Sequence, residues 1–381
     1  MKQFIYADNA ATTKLDKTAF DAMIPWLTEE YGNASQLYTF ARRPKKVLAE
    51  ARQIIADAIN ASPEEIFFTS GGTESDNWAI KGAAFSDPLK RVTITSSIEH
   101  HAILKACAAI EELGYPVLYI PPDKNGVITS NRLKEIMTDN THLVSIMLSN
   151  NEIGTIEPIQ EMSSIVHGKG AIFHTDAVQA VGHIPIDVNN LGVDMLSASA
   201  HKFNGPKGIG FLFIRKGTEL KPLNDGGAQE QGLRAGTENI AGIVGMATAL
   251  KKNIEKIEEN KRYVESLEQE LLQGISSLDY IKNGSGNRIP GCISLSFKNA
   301  DGEAIMHQMD LQGICISTGS ACDSVDIKST HVIQAIRVPE AYATGTVRIT
   351  LNKDNTMEEV KKISTTLVQI INRLKTNDSI G

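Results

Sequence analysis

Ser199-Ala200-His201-Lys202-Phe203-Asn204-Gly205-Pro206 places a lysine between two apolar runs, Val193 to Leu196 before it and Ile209 to Ile214 after it. Gly205, Pro206, Gly208 and Gly210 break the segment into a tight turn. A lysine held between two buried strands loses hydration, which lowers its pKa and frees its amine to attack an aldehyde. A surface lysine in a hairpin turn is the alternative, and the rest of the chain decides between them.

Upstream, apolar strand-like runs alternate with helical periodicity: Arg91 to Thr95, a helix from His100, Val117 to Ile120, a helix near Arg132 to Met137, Leu143 to Leu148, a helix near Ile159 to His167, and Ala171 to His174. That alternation predicts an α/β domain with a doubly wound, mostly parallel sheet. Such sheets bind ligands at the carboxyl ends of their strands. The polar residues that follow the strands are therefore the informative ones: His100, Asn150-Asn151-Glu152, Asp176, Gln179, and Ser199 to Lys202. Earlier still, Ile66-Phe67-Phe68-Thr69-Ser70-Gly71-Gly72-Thr73 reads as a strand and a glycine turn that opens a helix. Backbone N–H groups at a helix start, approached closely over glycine, make an anion site; an ordinary strand-to-helix turn is the alternative.

The first fifteen residues read as turn, with Asp8-Asn9-Ala10-Ala11-Thr12-Thr13 too small and polar for a core element. A helix carrying Phe20, Met23, Ile24 and Leu27 follows, and Pro44 opens another. From about Ala241 to Leu272 one long charged helical region looks like a bridge to a second domain, holding strands Cys292 to Phe297, Ile314 to Ser317 and Val347 to Leu351 and a closing helix from Met357 to Leu374.

With 381 residues the chain can bury large cores, and its 41% hydrophobic and 22% charged residues are those of an ordinary globular protein. A formal net charge of −7 argues against a direct nucleic-acid or membrane-surface binder. The amino terminus lacks the apolar core of a signal peptide and no run is long enough to span a membrane, so a cytoplasmic location is expected. Cys107, Cys292, Cys315 and Cys322 form no CxxC pair, and no metal site is expected. The first three lie in apolar contexts suited to a core. Cys322 lies in the small, polar stretch Ser317 to Asp326, where an exposed thiol could reach a bound substrate and swing away. Asp323 and Asp326 would raise its pKa, so it needs a base such as His100; an incidental loop cysteine is the alternative.

These parts suit pyridoxal phosphate. Asp176 follows an apolar strand, where a carboxylate needs a partner, and a protonated pyridine nitrogen would make the cofactor an electron sink; a helix cap is the alternative. Asn151 and Gln179 offer neutral hydrogen bonds to the ring hydroxyl, and Asn151 could also reach a substrate carboxylate. His100 can stack on the ring and move protons, while Ser199 and His201 can join Thr73 at the phosphate. Arg348, on the strand around Val347 and Ile349, suits a substrate α-carboxylate or a structural ion pair.

The chain resembles the pyridoxal-phosphate-dependent cysteine desulfurases of the NifS/IscS type, in the class V aminotransferase-like family. The resemblance runs through YADNAATT (6–13), TSGGTESDN (69–77), EHHAIL (99–104), NNEIG (150–154), HTDAVQAVG (174–182), SASAHKFNGPKGIG (197–210), GLRAGTEN (232–239) and STGSAC (317–322). It implies the aspartate aminotransferase-like fold, with a large cofactor domain over 16–255 and a smaller α+β domain from 1–15 plus 256–381 that carries the cysteine loop. It implies Lys202 as the Schiff-base lysine, Asp176 on the pyridinium, Gln179 and Asn151 at the ring hydroxyl and His100 over the ring. Gly72, Thr73, Ser199 and His201 would hold the phosphate, Arg348 the substrate carboxylate, and Cys322 the sulfur taken from L-cysteine as a persulfide. Thr237 would reach the phosphate of a neighbouring subunit, implying a homodimer. The span from Cys322 to Val332-Ile333 resembles the longer-loop branch, which passes sulfur to acceptor proteins such as an iron–sulfur scaffold or a tRNA-thiolation protein. The chain departs from the family pattern at Tyr38, where a histidine is usual, in Asp225 to Glu230, at Ala235 and at Asp323.

Overall fold

The computed structural model describes residues 4–87, 91–318 and 329–378. The first strand, β1 (Ile5–Tyr6), is followed by seven that form one sheet: β2 (Ile66–Thr69), β3 (Val92–Ser96), β4 (Val117–Ile120), β5 (Thr141–Ser145), β6 (Ile172–Asp176), β7 (Met195–Ser199) and β8 (Gly210–Ile214). Their order is β2-β8-β7-β6-β5-β3-β4. All neighbours are parallel except β8, which runs antiparallel to both β2 and β7. The carboxyl ends of β2, β3, β5, β6 and β7 therefore share one edge, as the alternation of elements predicts.

Side chains alternate across this sheet because successive residues of a strand point to opposite faces. Phe68, Val144, Leu196, Phe211 and Phe213 pack on one face with Ile55, Ile59, Ile243 and Leu250. Phe67, Leu143, Met195 and Leu212 pack on the other with Trp78, Ile80, Ile103 and Ile110. Fully burying each such side chain is worth about 1.5–3 kcal/mol, so a one-residue slip of register would be heavily penalised.

A third core surrounds β9 (Tyr280–Lys282), β10 (Cys292–Phe297), β11 (Ile314–Cys315) and β12 (Thr346–Thr350). Here β10 pairs antiparallel with β9 and β12, while β11 pairs parallel with β1. The helices Ile257–Gly274 and Met357–Asp378 supply apolar residues to this core, among them Leu267, Leu271, Val360 and Leu367.

Three local expectations are corrected. The opening segment is a core element, with Ile5, Ala7 and Ala10 buried; small residues suit a backbone that is itself gripped by other segments. The long helical region from Ala241 to Leu272 is two helices, Ile240–Glu255 and Ile257–Gly274, broken at Lys256 (φ −121°, ψ 15°). Cys315 is half-buried, at the end of a two-residue strand. Among the described residues no helix is long and apolar enough to cross a membrane.

Candidate active site

A cavity of about 270 Å³ opens at the shared carboxyl edge of the sheet, and its wall contains Gly72, Thr73, His100, Asn151, Asp176, Gln179, Ser199, His201 and Lys202. The residues come from the ends of several elements. Ser199 ends β7 and Lys202 sits in the single 3-10 turn after it, Ala200–Lys202. That turn is clamped from several sides. Thr13 N–H and Oγ1 donate to the His201 carbonyl, His183 Nε2 lies 2.8 Å from the Lys202 carbonyl, and Asn253 Nδ2 donates to the Phe203 carbonyl at 2.7 Å. The Lys202 amine donates to the carbonyls of Ala10 and Ala11. Burial pushes its pKa down to about 8, helped by the Arg348 charge and opposed by Asp176 and Asp8.

Asp176 closes β6 with Oδ1 accepting from Val178 N–H at 2.9 Å. Burial raises its pKa to about 6 against the pull of that N–H and of the Lys202 charge. His100 caps the helix His101–Glu112, its Nδ1 accepting from Ala102 N–H at 3.1 Å. That bond places the ring hydrogen on Nε2, and desolvation followed by the charge of Lys202 lowers the pKa to about 4. His201 is likewise lowered to about 4, chiefly by desolvation, and Nδ1 lies 3.1 Å from Thr12 Oγ1. Both imidazoles are neutral at physiological pH.

The cradle at the head of the helix Gly72–Ala84 depends on glycine. Gly71 has φ +151°, a backbone setting that favours glycine. A methyl group on Gly72 would meet Val178 Cγ2 at 2.6 Å. The helix start, with Thr73, Ser199 and His201, also borders a second, more open cavity that includes Lys207. N–H groups at a helix start favour an anion.

Arg348 lies outside the cavity wall. Its guanidinium is buried and donates to Asp8 Oδ1 at 2.7 Å and to the Asn151 carbonyl at 2.9 Å, while Nε has no partner. Thr237 is exposed and borders a separate hollow with Ser70, Gly208, Arg234 and Glu238. Cys322 lies outside the described residues.

Sequence reasoning missed Asp76, Met147 and Val178, which also line the cavity. Asp76 had a signal: it is three residues beyond Thr73, on the same helix face. The carbonyls of Ala10 and Ala11 had none, since any residue carries that group.

The donor set fits pyridoxal phosphate: an amine of lowered basicity, a buried carboxylate, a neutral imidazole and a glycine cradle at a helix start face one cavity. Residues 5–363 match the family described as aminotransferase class-V. A relative from Dictyoglomus turgidum named cysteine desulfurase IscS is 47% identical, over 99% of this chain and 96% of its own. A solved structure titled NifS-like protein superimposes with a TM-score of 0.91 at 38% identity, covering 98% of this chain and 100% of the other. Another, titled SspA in complex with cysteine, gives 0.82 at 36% identity, covering 91% and 98%.

Proposed function

Because the chain belongs to the class V aminotransferase family, in its cysteine desulfurase branch, we propose that it converts L-cysteine to L-alanine and passes the sulfur to Cys322 as a persulfide. The observation that carries the reading is the convergence of Lys202, Asp176 and His100 on one cavity beside a glycine-opened helix start.

In this reading Gly72, Thr73, Ser199 and His201 hold the phosphate of pyridoxal phosphate, Lys202 holds its aldehyde carbon and Asp176 its ring nitrogen. His100 lies over the ring, with Asn151 and Gln179 at the ring hydroxyl. When bound, the cofactor supplies an electron sink at the substrate Cα, which is what permits the Cβ–S bond to break. The chain's own residues do the rest. Lys202 takes the Cα proton as a base poised near the working pH and later returns a proton. Arg348 receives the substrate carboxylate, its Nε being without a partner in this structure. The Cys322 thiolate attacks the substrate sulfur, so that cysteine and one thiol become alanine and one persulfide.

We also assign residues 16–255 to the cofactor domain and 1–15 plus 256–381 to the smaller one, supported by the separate core around β9 to β12. We read the protein as cytoplasmic and as a homodimer; the dimer is supported by the exposed Phe20, Leu27, Tyr31 and Leu37 and by the exposure of Thr237, which would serve the neighbouring subunit's phosphate. The persulfide would pass to an acceptor protein such as an iron–sulfur scaffold or a tRNA-thiolation protein.

The test is alanine and sulfide release from L-cysteine with a thiol reductant, comparing the native protein with Cys322→Ala, both loaded with pyridoxal phosphate. Equal yields of alanine and sulfide, lost in the variant, are expected. A variant as active as the native protein would reject Cys322 as the carrier.

A further inference from the structure

Two carboxyl groups share the cavity wall. Asp76 is 1% exposed and Asp176 is 5% exposed. The Ser197 hydroxyl bonds Asp76, whose Oδ1 has no hydrogen-bond partner in the structure. The groups facing it offer no cation. His174 Nε2 lies 3.9 Å from Oδ1, but both ring nitrogens sit 2.9 Å from hydroxyls, Ser145 Oγ at Nδ1 and Ser197 Oγ at Nε2. Burial lowers the His174 pKa to about 3, so the ring is neutral. Glu99, the other acid near Asp76, is raised to about 8 by burial and is neutral as well. The Lys202 charge acts on Asp176.

Two like charges cannot both persist in one buried space when the nearby cation acts on only one of them. An orphaned oxygen is also far costlier on a carboxylate than on a neutral acid. We propose that Asp76 and Asp176 form a one-proton dyad, in which Asp76 keeps the proton and Asp176 the charge, and that the chain Ser197–His174–Ser145 orients the Asp76 hydroxyl. The proton on Asp76 donates to Ser197 Oγ, the Ser197 hydroxyl to His174 Nε2, and His174 Nδ1–H to Ser145 Oγ. Every step is a complete hydrogen bond, and Oδ1 becomes a plain carbonyl oxygen. Asp76 is thereby a positioning residue: by remaining neutral it leaves a single negative charge for the ring nitrogen. This role for Asp76 rests on the cofactor reading above; the dyad itself does not.

The experiment is infrared difference spectroscopy of Asp76→Asn and Asp176→Asn against the native protein, with and without pyridoxal phosphate. The native-minus-Asp76→Asn spectrum is expected to show the carbonyl stretch of a protonated acid, and the native-minus-Asp176→Asn spectrum to lack it. Bands from the neutral Glu99 and Glu157 cancel in both. In the loaded protein, Asp76→Asn should keep the cofactor dissociation constant within about threefold, whereas Asp176→Asn should raise it about tenfold or more, the scale of one lost charge-assisted bond. Ser197→Ala provides a second variant: removing the acceptor should move the acid band. Absence of an acid band tied to Asp76, its assignment to Asp176, or a tenfold loss of affinity in Asp76→Asn would overturn the dyad. If the native protein bound no pyridoxal phosphate, the cofactor reading would fall while the infrared assignment still decided the dyad.

Discussion

Lys202 donates to two backbone carbonyls at the edge of a cavity that also holds a carboxylate, and these surroundings tune how available its amine is. With a pKa near 8, about one amine in ten is uncharged at pH 7, against roughly one in several thousand for an ordinary lysine. The neutral amine is the nucleophile, so its supply grows with rising pH and saturates above the pKa. The rate at which the cofactor-free protein takes up pyridoxal phosphate covalently should rise about fivefold from pH 7 to 8 and level off near pH 9. A rate still climbing past pH 10 would show an ordinary lysine. The lysine was legible in the sequence because two apolar strands and a glycine turn surround it within fifteen residues. For Asp76 only its place beside Thr73 was legible; its role depends on Asp176, a hundred positions away, and on serines of β5 and β7 that look like any strand serine.

At the scale of elements, the loop between β2 and the helix Gly72–Ala84 does the most with the least chain. In a helix alanine outranks glycine by about 1 kcal/mol, and Gly72 has room in its backbone angles for a side chain. Its constraint is the Val178 methyl at 2.6 Å from a would-be Cβ, and Val178 itself lines the cavity. Gly72→Ala should therefore melt within a few degrees of the native protein yet bind pyridoxal phosphate about tenfold more weakly by titration. Unchanged binding would mean that Val178 yields freely and that the cradle tolerates the methyl. Strand and helix order in the large sheet was readable from apolar periodicity, because every strand except the edge strand β4 is buried on both faces. The split at Lys256 was not, since the periodicity continues across it and only Asn253, which turns inward to hold the Phe203 carbonyl, marks the break.

Across the whole molecule, stability carries a cost from buried acids outside the cavity. Glu157 is 3% exposed, accepts from Ile128 N–H at 2.7 Å through Oε2, and has no partner at Oε1. Burial raises its pKa from 4.5 to about 9. The folded protein keeps this proton while the unfolded chain releases it, so the stability it contributes is full below about pH 4.5 and is lost as the pH climbs toward 9. The slope from this one group reaches at most about 1.4 kcal/mol per pH unit. Glu157→Gln should flatten the fall of Tm between about pH 5 and 9; parallel curves for the two proteins would reject the assignment.

The grip of the first strand has a consequence for how the protein comes to exist in the cell. Ala10, whose carbonyl meets Lys202, is itself fixed by Thr350 across 340 positions, and Ile5 and Tyr6 pair with Ile314 and Cys315. A ribosome delivers the amino end first and these anchors last. The growing chain can complete the large sheet, with Lys202 in its turn and Gln179 and Lys202 ready to meet the Ala10 carbonyl, long before Thr350 arrives to hold the Ala10 N–H. The lysine is thus made early, and the wall beside it is fully fixed only once Thr350 has met Ala10.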